Sequence, residues 1–227
     1  MISVAIDGPS GAGKSTIARR AAQMLSFIYV DTGALYRTVG LYMAEHGVAD
    51  TKNAEAVAAK LCEVSVDLRF IDGEQRVFLN GEDVSGRIRT PQMAMHASNV
   101  SAIPAVRAFL LDMQRDLAKK NNVIMDGRDI GTVILPHAQV KFFVTVSDAE
   151  RARRRYNELI AKGENVTLEE VATAMAERDR QDSTREIAPA IPAEDAIFLD
   201  NSGDFDAVID LAIAIIRDKA KEAGETV

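Results

Sequence analysis

Gly8-Pro-Ser-Gly-Ala-Gly-Lys14-Ser15 constrains this chain more than any other segment. It fills the pattern G-x-x-x-x-G-K-[ST], in which backbone N–H groups turned inward cradle phosphate oxygens. The flanks agree with that reading. Ser3-Val-Ala-Ile-Asp7 is short, apolar and β-branched, as a strand buried in a parallel sheet is. From Lys14 to about Leu25, Ile17, Ala18, Ala21, Ala22 and Leu25 fall on one helix face. A helix starting at the loop aims its positive end at a bound anion. Lys14 then reaches the β- and γ-phosphates, and the Ser15 hydroxyl can ligate Mg²⁺. Gly8, Pro9, Ser10, Gly11, Ala12, Gly13, Lys14, Ser15 and Thr16 are therefore expected to bind a nucleoside triphosphate.

Further strands are predicted at Phe27–Val30, Val123–Met125, Val140–Val146 and Ala196–Leu199. Helical stretches separate them, including 101–120 and 207–221, and Ser147-Asp-Ala-Glu150 supplies a capping-box pattern. Strand–helix alternation implies a parallel sheet covered on both faces. One region breaks the rule. Val64–Phe70 and Gln75–Leu79, joined through Asp72-Gly73, read as an antiparallel hairpin, with a second turn at Asn80-Gly81. This marks a small β insert at about 62–92. No repeat or Gly/Ser linker divides the 227 residues, so one domain over 1–227 is expected.

Composition removes several classes. Apolar residues make up 47 % and charged ones 27 %, enough for a sizeable core and against global disorder. No apolar run approaches the ~18 residues of a membrane span, and the first residues lack the pattern of a signal peptide. A lone cysteine, Cys62, forms no internal disulfide, which fits a reducing compartment and predicts a cytoplasmic protein. The net charge of −7 has the wrong sign for a nucleic-acid polymer. Cations nevertheless gather locally: Arg128, Arg151, Arg153, Arg154, Arg155, Arg178, Arg180 and Arg185 suggest recognition of small anions, although the 151–155 run equally suits a solvated helix face.

The loop alone fits kinases, GTPases and motor ATPases. No Asn-Lys-x-Asp guanine-reading segment is present, and the length leaves little room for motor elements. A small-molecule kinase leads. Beyond the loop, Asp31-Thr-Gly-Ala-Leu-Tyr-Arg37, Gly81-Glu-Asp-Val-Ser85 with Ile88-Arg-Thr90, Asp126-Gly-Arg-Asp-Ile-Gly-Thr132 and Glu177-Arg-Asp-x-x-Asp182-x-x-Arg185 run in order along the chain. Together with Ile6–Thr16 they resemble the bacterial cytidylate kinases over almost the whole chain. The resemblance implies transfer of a phosphoryl group from MgATP to CMP or dCMP. It also implies a three-layer phosphate-loop kinase fold with a central parallel five-stranded sheet of order 2-3-1-4-5, a β insert in the CMP-binding part, and a helical lid at about 151–165.

Residue roles follow in part from chemistry. The acceptor is a phosphate monoester dianion, so its attacking oxygen needs no general base; the task is to neutralise two polyanions. His46, His96 and His137 are then expected to be structural. By resemblance Arg37, Arg128 and Arg185 grip the CMP phosphate, with Thr32 beside them. Arg178 and Asp182, four apart on one helix face, reach the ribose by resemblance, and Arg178 extends toward phosphate. Lys14, Arg128, Arg178 and Arg185 are the expected catalytic set. By resemblance Arg151, Arg154 and Arg155 lie in the lid, where at least one is expected to contact the transferring phosphoryl group; Arg154 is expected on the ATP side. Asp126, ending an apolar strand, stands where such proteins hold a magnesium-bound water, so Ser15 and Asp126 are the expected metal residues. Ser98, Arg107 and Asp129 contact the cytosine edge by resemblance, although periodicity alone makes Ser98 and Arg107 ordinary helix-surface residues. The expected partners are ATP and CMP or dCMP, with no nucleic-acid polymer or membrane, and a monomer is expected.

Two rival readings remain. A shikimate-type kinase typically has Asp-x-Asp after the second strand; here the second position is Gly33. A regulatory nucleotide-binding protein would hydrolyse ATP independently of any acceptor.

Overall fold

The computed structural model describes residues 1–71 and 73–225; Asp72 of the expected Asp72-Gly73 turn lies outside the described residues. Along the chain, β1 (Ser3–Asp7) leads through the glycine loop to α1 (Lys14–Leu25), β2 (Ile28–Asp31) and α2 (Thr32–Glu45). Next come α3 (Ala54–Lys60), β3 (Val66–Ile71), β4 (Glu74–Leu79), β5 (Glu82–Asp83), α4 (Pro91–Ser101) and α5 (Pro104–Lys120). β6 (Val123–Asp126), β7 (Val140–Thr145), α6 (Asp148–Ala161), α7 (Leu168–Thr184), β8 (Ile197–Asp200) and α8 (Phe205–Glu222) complete it. Two compact units result: Met1–Tyr29 with Asn121–Val227, and Val30–Lys120.

The first unit is built on a five-stranded parallel sheet. β1 is central, with Ala5 beside Met125 of β6 and Ile6 beside Phe142 of β7. Numbered over all strands the order is β2-β6-β1-β7-β8 rather than 2-3-1-4-5, because the three insert strands fall between β2 and β6. Counted among the sheet's own five strands it is 2-3-1-4-5. Val4, Ile6, Ile124, Phe142, Val144 and Leu199 pack on Ile17, Ala18 and Ala21 of α1 and on Ile209, Ile213 and Ile216 of α8. Each such large side chain contributes roughly 1.5–3 kcal/mol by leaving water, which fixes the end of β1 and the start of α1.

In the second unit Leu35, Val39 and Met43 of α2 share a core with Met93, Ala97 and Val100 of α4, Val106 and Leu110 of α5, and Val77 and Leu79 of β4. The insert is a three-stranded antiparallel sheet of order β3-β4-β5. The helix expected over 101–120 instead begins at Pro104, and α4 already ends at Ser101. Proline lacks the N–H that an interior helix position donates but suits a helix start, so the chain breaks there.

Candidate active site

The glycine loop is shaped by close backbone packing. Gly8 has φ +142°, and a Cβ there would lie 2.5 Å from the Val144 carbonyl oxygen. Gly13, the N-cap of α1 at φ +89°, leaves a Cβ only 2.4 Å from Asn201 Nδ2. Any other residue would both adopt a disfavoured backbone and collide. Lys14 follows, 5 % exposed, with Nζ donating to the Pro9 carbonyl at 2.7 Å. Burial, and then the Arg128 and Arg178 guanidiniums, hold its ammonium well below the ordinary lysine range, against Asp126 and Asp7. Three cations thus converge beside the loop, an arrangement suited to a polyanion.

At the start of α1 the Ser15 hydroxyl donates to Asp126 Oδ2 at 2.6 Å, and the Tyr29 hydroxyl donates to Asp126 Oδ1 at 2.9 Å. Asp126 closes β6 and is buried. A hydroxyl beside a carboxylate offers the oxygen ligands that a hard divalent cation takes.

Arg128, Arg178 and Asp182 form one group. Asp182, 3 % exposed on α7, accepts from Arg128 Nε at 3.2 Å and lies 3.9 Å from Arg178 Nε. The i,i+4 pair expected on α7 is therefore the longer contact; Asp182 is held more closely by Arg128. Arg178 also reaches Ser10 of the loop, Nη1 to Oγ, at 3.2 Å. Arg185 ends α7 and pairs with Asp129, Nη2 to Oδ1, at 3.3 Å, both side chains buried. The structure thus pairs a residue expected at the acceptor phosphate with one expected at the base.

The expected lid arginines divide. Arg151 is buried, donating to the Ser10 carbonyl at 2.7 Å, to Asp179 Oδ2 at 2.5 Å and to Asp148. Asp179 Oδ1 also accepts the Ser10 backbone N–H at 3.2 Å. Arg154 donates to Glu150 at 2.9 Å and to the Asn201 carbonyl at 2.8 Å. Arg153 and Arg155 are tied by one-turn pairs to Glu150 and Glu158. The solvated-face reading of the run holds best for Arg153, which is exposed.

The second unit carries its own cluster. Asp31 caps α2, its Oδ1 accepting from the Ala34 N–H at 3.0 Å and its Oδ2 from Arg37 Nη2 at 2.7 Å. Burial pushes this carboxyl up, but Arg37 and the capping N–H outweigh it and hold it below the ordinary range. Thr32 is buried at the first turn. Ser98 and Arg107, which periodicity placed on a helix surface, are buried, Arg107 at 8 % exposure. Arg107 donates to the Ser101 carbonyl at 3.1 Å, and its guanidinium carbon lies 5.8 Å from the centroid of the Tyr36 ring. Burial of α4 against α2 overrides what a single-helix pattern shows. His46 stacks on Tyr42 and His96 bonds the Thr51 hydroxyl, structural contacts in both cases.

Asp7, Asp179, Asn201 and Gln75 were assigned no role from sequence. Asp7 Oδ1 and Oδ2 accept the backbone N–H groups of Ile130 and Gly131 at 2.9 and 2.7 Å, fixing the wide turn that follows Asp129. Burial raises its carboxyl to about 7, although the two N–H groups pull it down. Asn201 Nδ2 donates to the Ala12 carbonyl at 2.9 Å. A carboxylate ending an apolar strand is the one signal here that a sequence displays.

Residues 4–218 match the family described as cytidylate kinase. A cytidylate kinase of Carboxydothermus hydrogenoformans is 48 % identical over 88 % of this chain and 90 % of its own length. One of Geobacter sulfurreducens is 47 % identical over 96 % of this chain and 94 % of its own. A solved structure of an uncharacterized protein from Eubacterium ventriosum matches 96 % of this chain and 98 % of its own at a TM-score of 0.50 and 13 % identity, a likeness of fold alone. With a family match across nearly all its length and relatives near half identity, the chain belongs to the cytidylate kinase family.

Proposed function

We propose that the protein transfers the γ-phosphoryl group of ATP to CMP or dCMP, giving ADP and CDP or dCDP. The observation that carries this reading is the convergence of buried Lys14 with Arg128 and Arg178 beside the glycine loop. In the reaction an oxygen of the acceptor phosphate attacks Pγ in line, the Pγ–O bond to the β-phosphate breaks, and its electron pair leaves on ADP. No proton moves, so no general base is required. Gly8 to Thr16 hold the triphosphate through loop N–H groups, with Arg154 on the same side, and Lys14 meets the charge developing on the bridging and γ oxygens. Arg37, Arg128 and Arg185 neutralise the acceptor phosphate, and Thr32 binds beside them. Arg178 and Asp182 take the ribose, with Arg178 extending toward phosphate.

Mg²⁺ fits the Ser15 hydroxyl and Asp126 carboxylate, adjacent oxygens at 2.6 Å. When bound it neutralises phosphate charge. Asp129, Ser98 and Arg107 read the base. Cytosine offers an amino donor where uracil offers a carbonyl, so a carboxylate accepts from the first and repels the second. The reading includes a monomer acting in the cytoplasm on small molecules. A shikimate-type acceptor is not favoured, because Gly33 removes the second carboxylate that would grip substrate hydroxyls.

The test is ADP release from MgATP with and without CMP. The kinase reading predicts release that depends on CMP, with CDP formed in equal amount. Acceptor-independent release would instead indicate a regulatory ATPase.

A further inference from the structure

β4 of the insert alternates in the usual way: Val77 and Leu79 face the core of their unit, and Gln75, two residues earlier, shares that face. A polar side chain on a core-directed face needs a polar partner. Gln75 meets the backbone of Asp31 twice. Its Oε1 accepts the Asp31 N–H at 2.8 Å and its Nε2 donates to the Asp31 carbonyl at 3.3 Å. The two bonds together fix which way the amide points.

Asp31 is the residue that orients Arg37. Its carboxylate caps α2 through one oxygen and takes the Arg37 guanidinium through the other. Gly33 makes room for that pair: a Cβ there would lie 3.0 Å from Arg37 Nη1 and 3.2 Å from Asp31 Oδ1. Among the described residues the buried Nε of Arg37 has no hydrogen-bond partner, which leaves donor capacity for an anion. We infer that Gln75 is a positioning residue: by clamping both backbone groups of Asp31 it fixes the Arg37 guanidinium for the phosphate of the acceptor nucleotide. The inference rests on the reading of Arg37 given above and assigns the insert a task. Without the clamp, Asp31 bonds to water, the capping turn gains freedom, and ordering Arg37 is deferred to the moment of binding, where it weakens the complex.

The experiment is a double-mutant cycle on the full chain, with Gln75→Ala, Arg37→Ala and both together. Gln75→Ala should raise KM for CMP about three- to tenfold, the scale of one or two lost hydrogen bonds, while KM for ATP stays unchanged. Arg37→Ala should raise KM for CMP by more, and adding Gln75→Ala to it should change nothing further. Gln75→Leu, which keeps the apolar volume, should reproduce the rise in KM for CMP with KM for ATP unchanged, a split that a general loss of stability would not produce. An unchanged KM for CMP in both Gln75 variants, equal rises for CMP and ATP, or full additivity with Arg37→Ala would overturn the inference. If Arg37→Ala alone leaves KM for CMP unchanged, the reading of Arg37 fails first, and the inference falls with it.

Discussion

Lys14 is a cation held where cations are disfavoured, by burial and by two guanidiniums. Such strain is relieved when negative charge grows beside it, so Lys14→Met should lower kcat about 10²–10³-fold while changing ATP binding far less. Steady-state kinetics with an unchanged kcat would refute that role. Asp129→Ala should narrow the preference for CMP over UMP, chiefly through lost activity on CMP; kcat/KM for both acceptors in both proteins measures it, and an unchanged ratio excludes Asp129 from base reading. Asp7 gives a prediction in pH. Its carboxyl titrates near 7 in the fold and near 3.8 when unperturbed. Between those values the folded state holds the extra proton, so this group makes stability fall as pH rises from about 4 to 7. Other carboxyls held low by their partners oppose this slope, so the test is the difference in urea-unfolding stability between the parent and Asp7→Asn, which should shrink as pH rises from about 4 to 7; a difference that does not change with pH would contradict it. That Lys14 lies at the loop and Ser15 beside Asp126 was legible in the sequence, because loop spacing and strand position set those places. Asp7 and Gln75 were not, since their partners lie 123 and 44 residues away.

The loop and the helices behind it work as joined elements. α6 and α7 touch the glycine loop through Arg151, Asp179 and Arg178, all of which bond Ser10. ATP and CMP together should draw this arrangement tighter and order residues 151–165, excluding water from the reacting phosphate. Hydrogen exchange read segment by segment checks this: protection over 151–165 should rise with both ligands bound, and an unchanged rate would count against a lid there. Periodicity located β1, α1, β6, β7 and α8 to within one or two residues. It failed between α4 and α5, where apolar spacing runs on while Pro104 resets the chain. It also missed the burial of Ser98 and Arg107, because one helix's pattern shows its own face and not the helices packed around it.

At the scale of the whole chain, the strand–helix alternation carried the parallel sheet, whereas its order came only with the family resemblance, because alternation alone does not say which strands are neighbours. The insert was visible as a break in that alternation; the division into two compact units was not, because no linker or shift in composition marks residues 30 and 120. Membership of the cytidylate kinase family rests on a family match over residues 4–218 and on relatives near half identity, and it makes the identity of the acceptor the central question. A panel of nucleoside monophosphates, assayed as acceptors with MgATP by kcat/KM, answers it directly. CMP and dCMP should be phosphorylated with strong preference over UMP, and AMP and GMP should be poor. Equal or greater kcat/KM for UMP or a purine monophosphate would contradict the assignment of the acceptor.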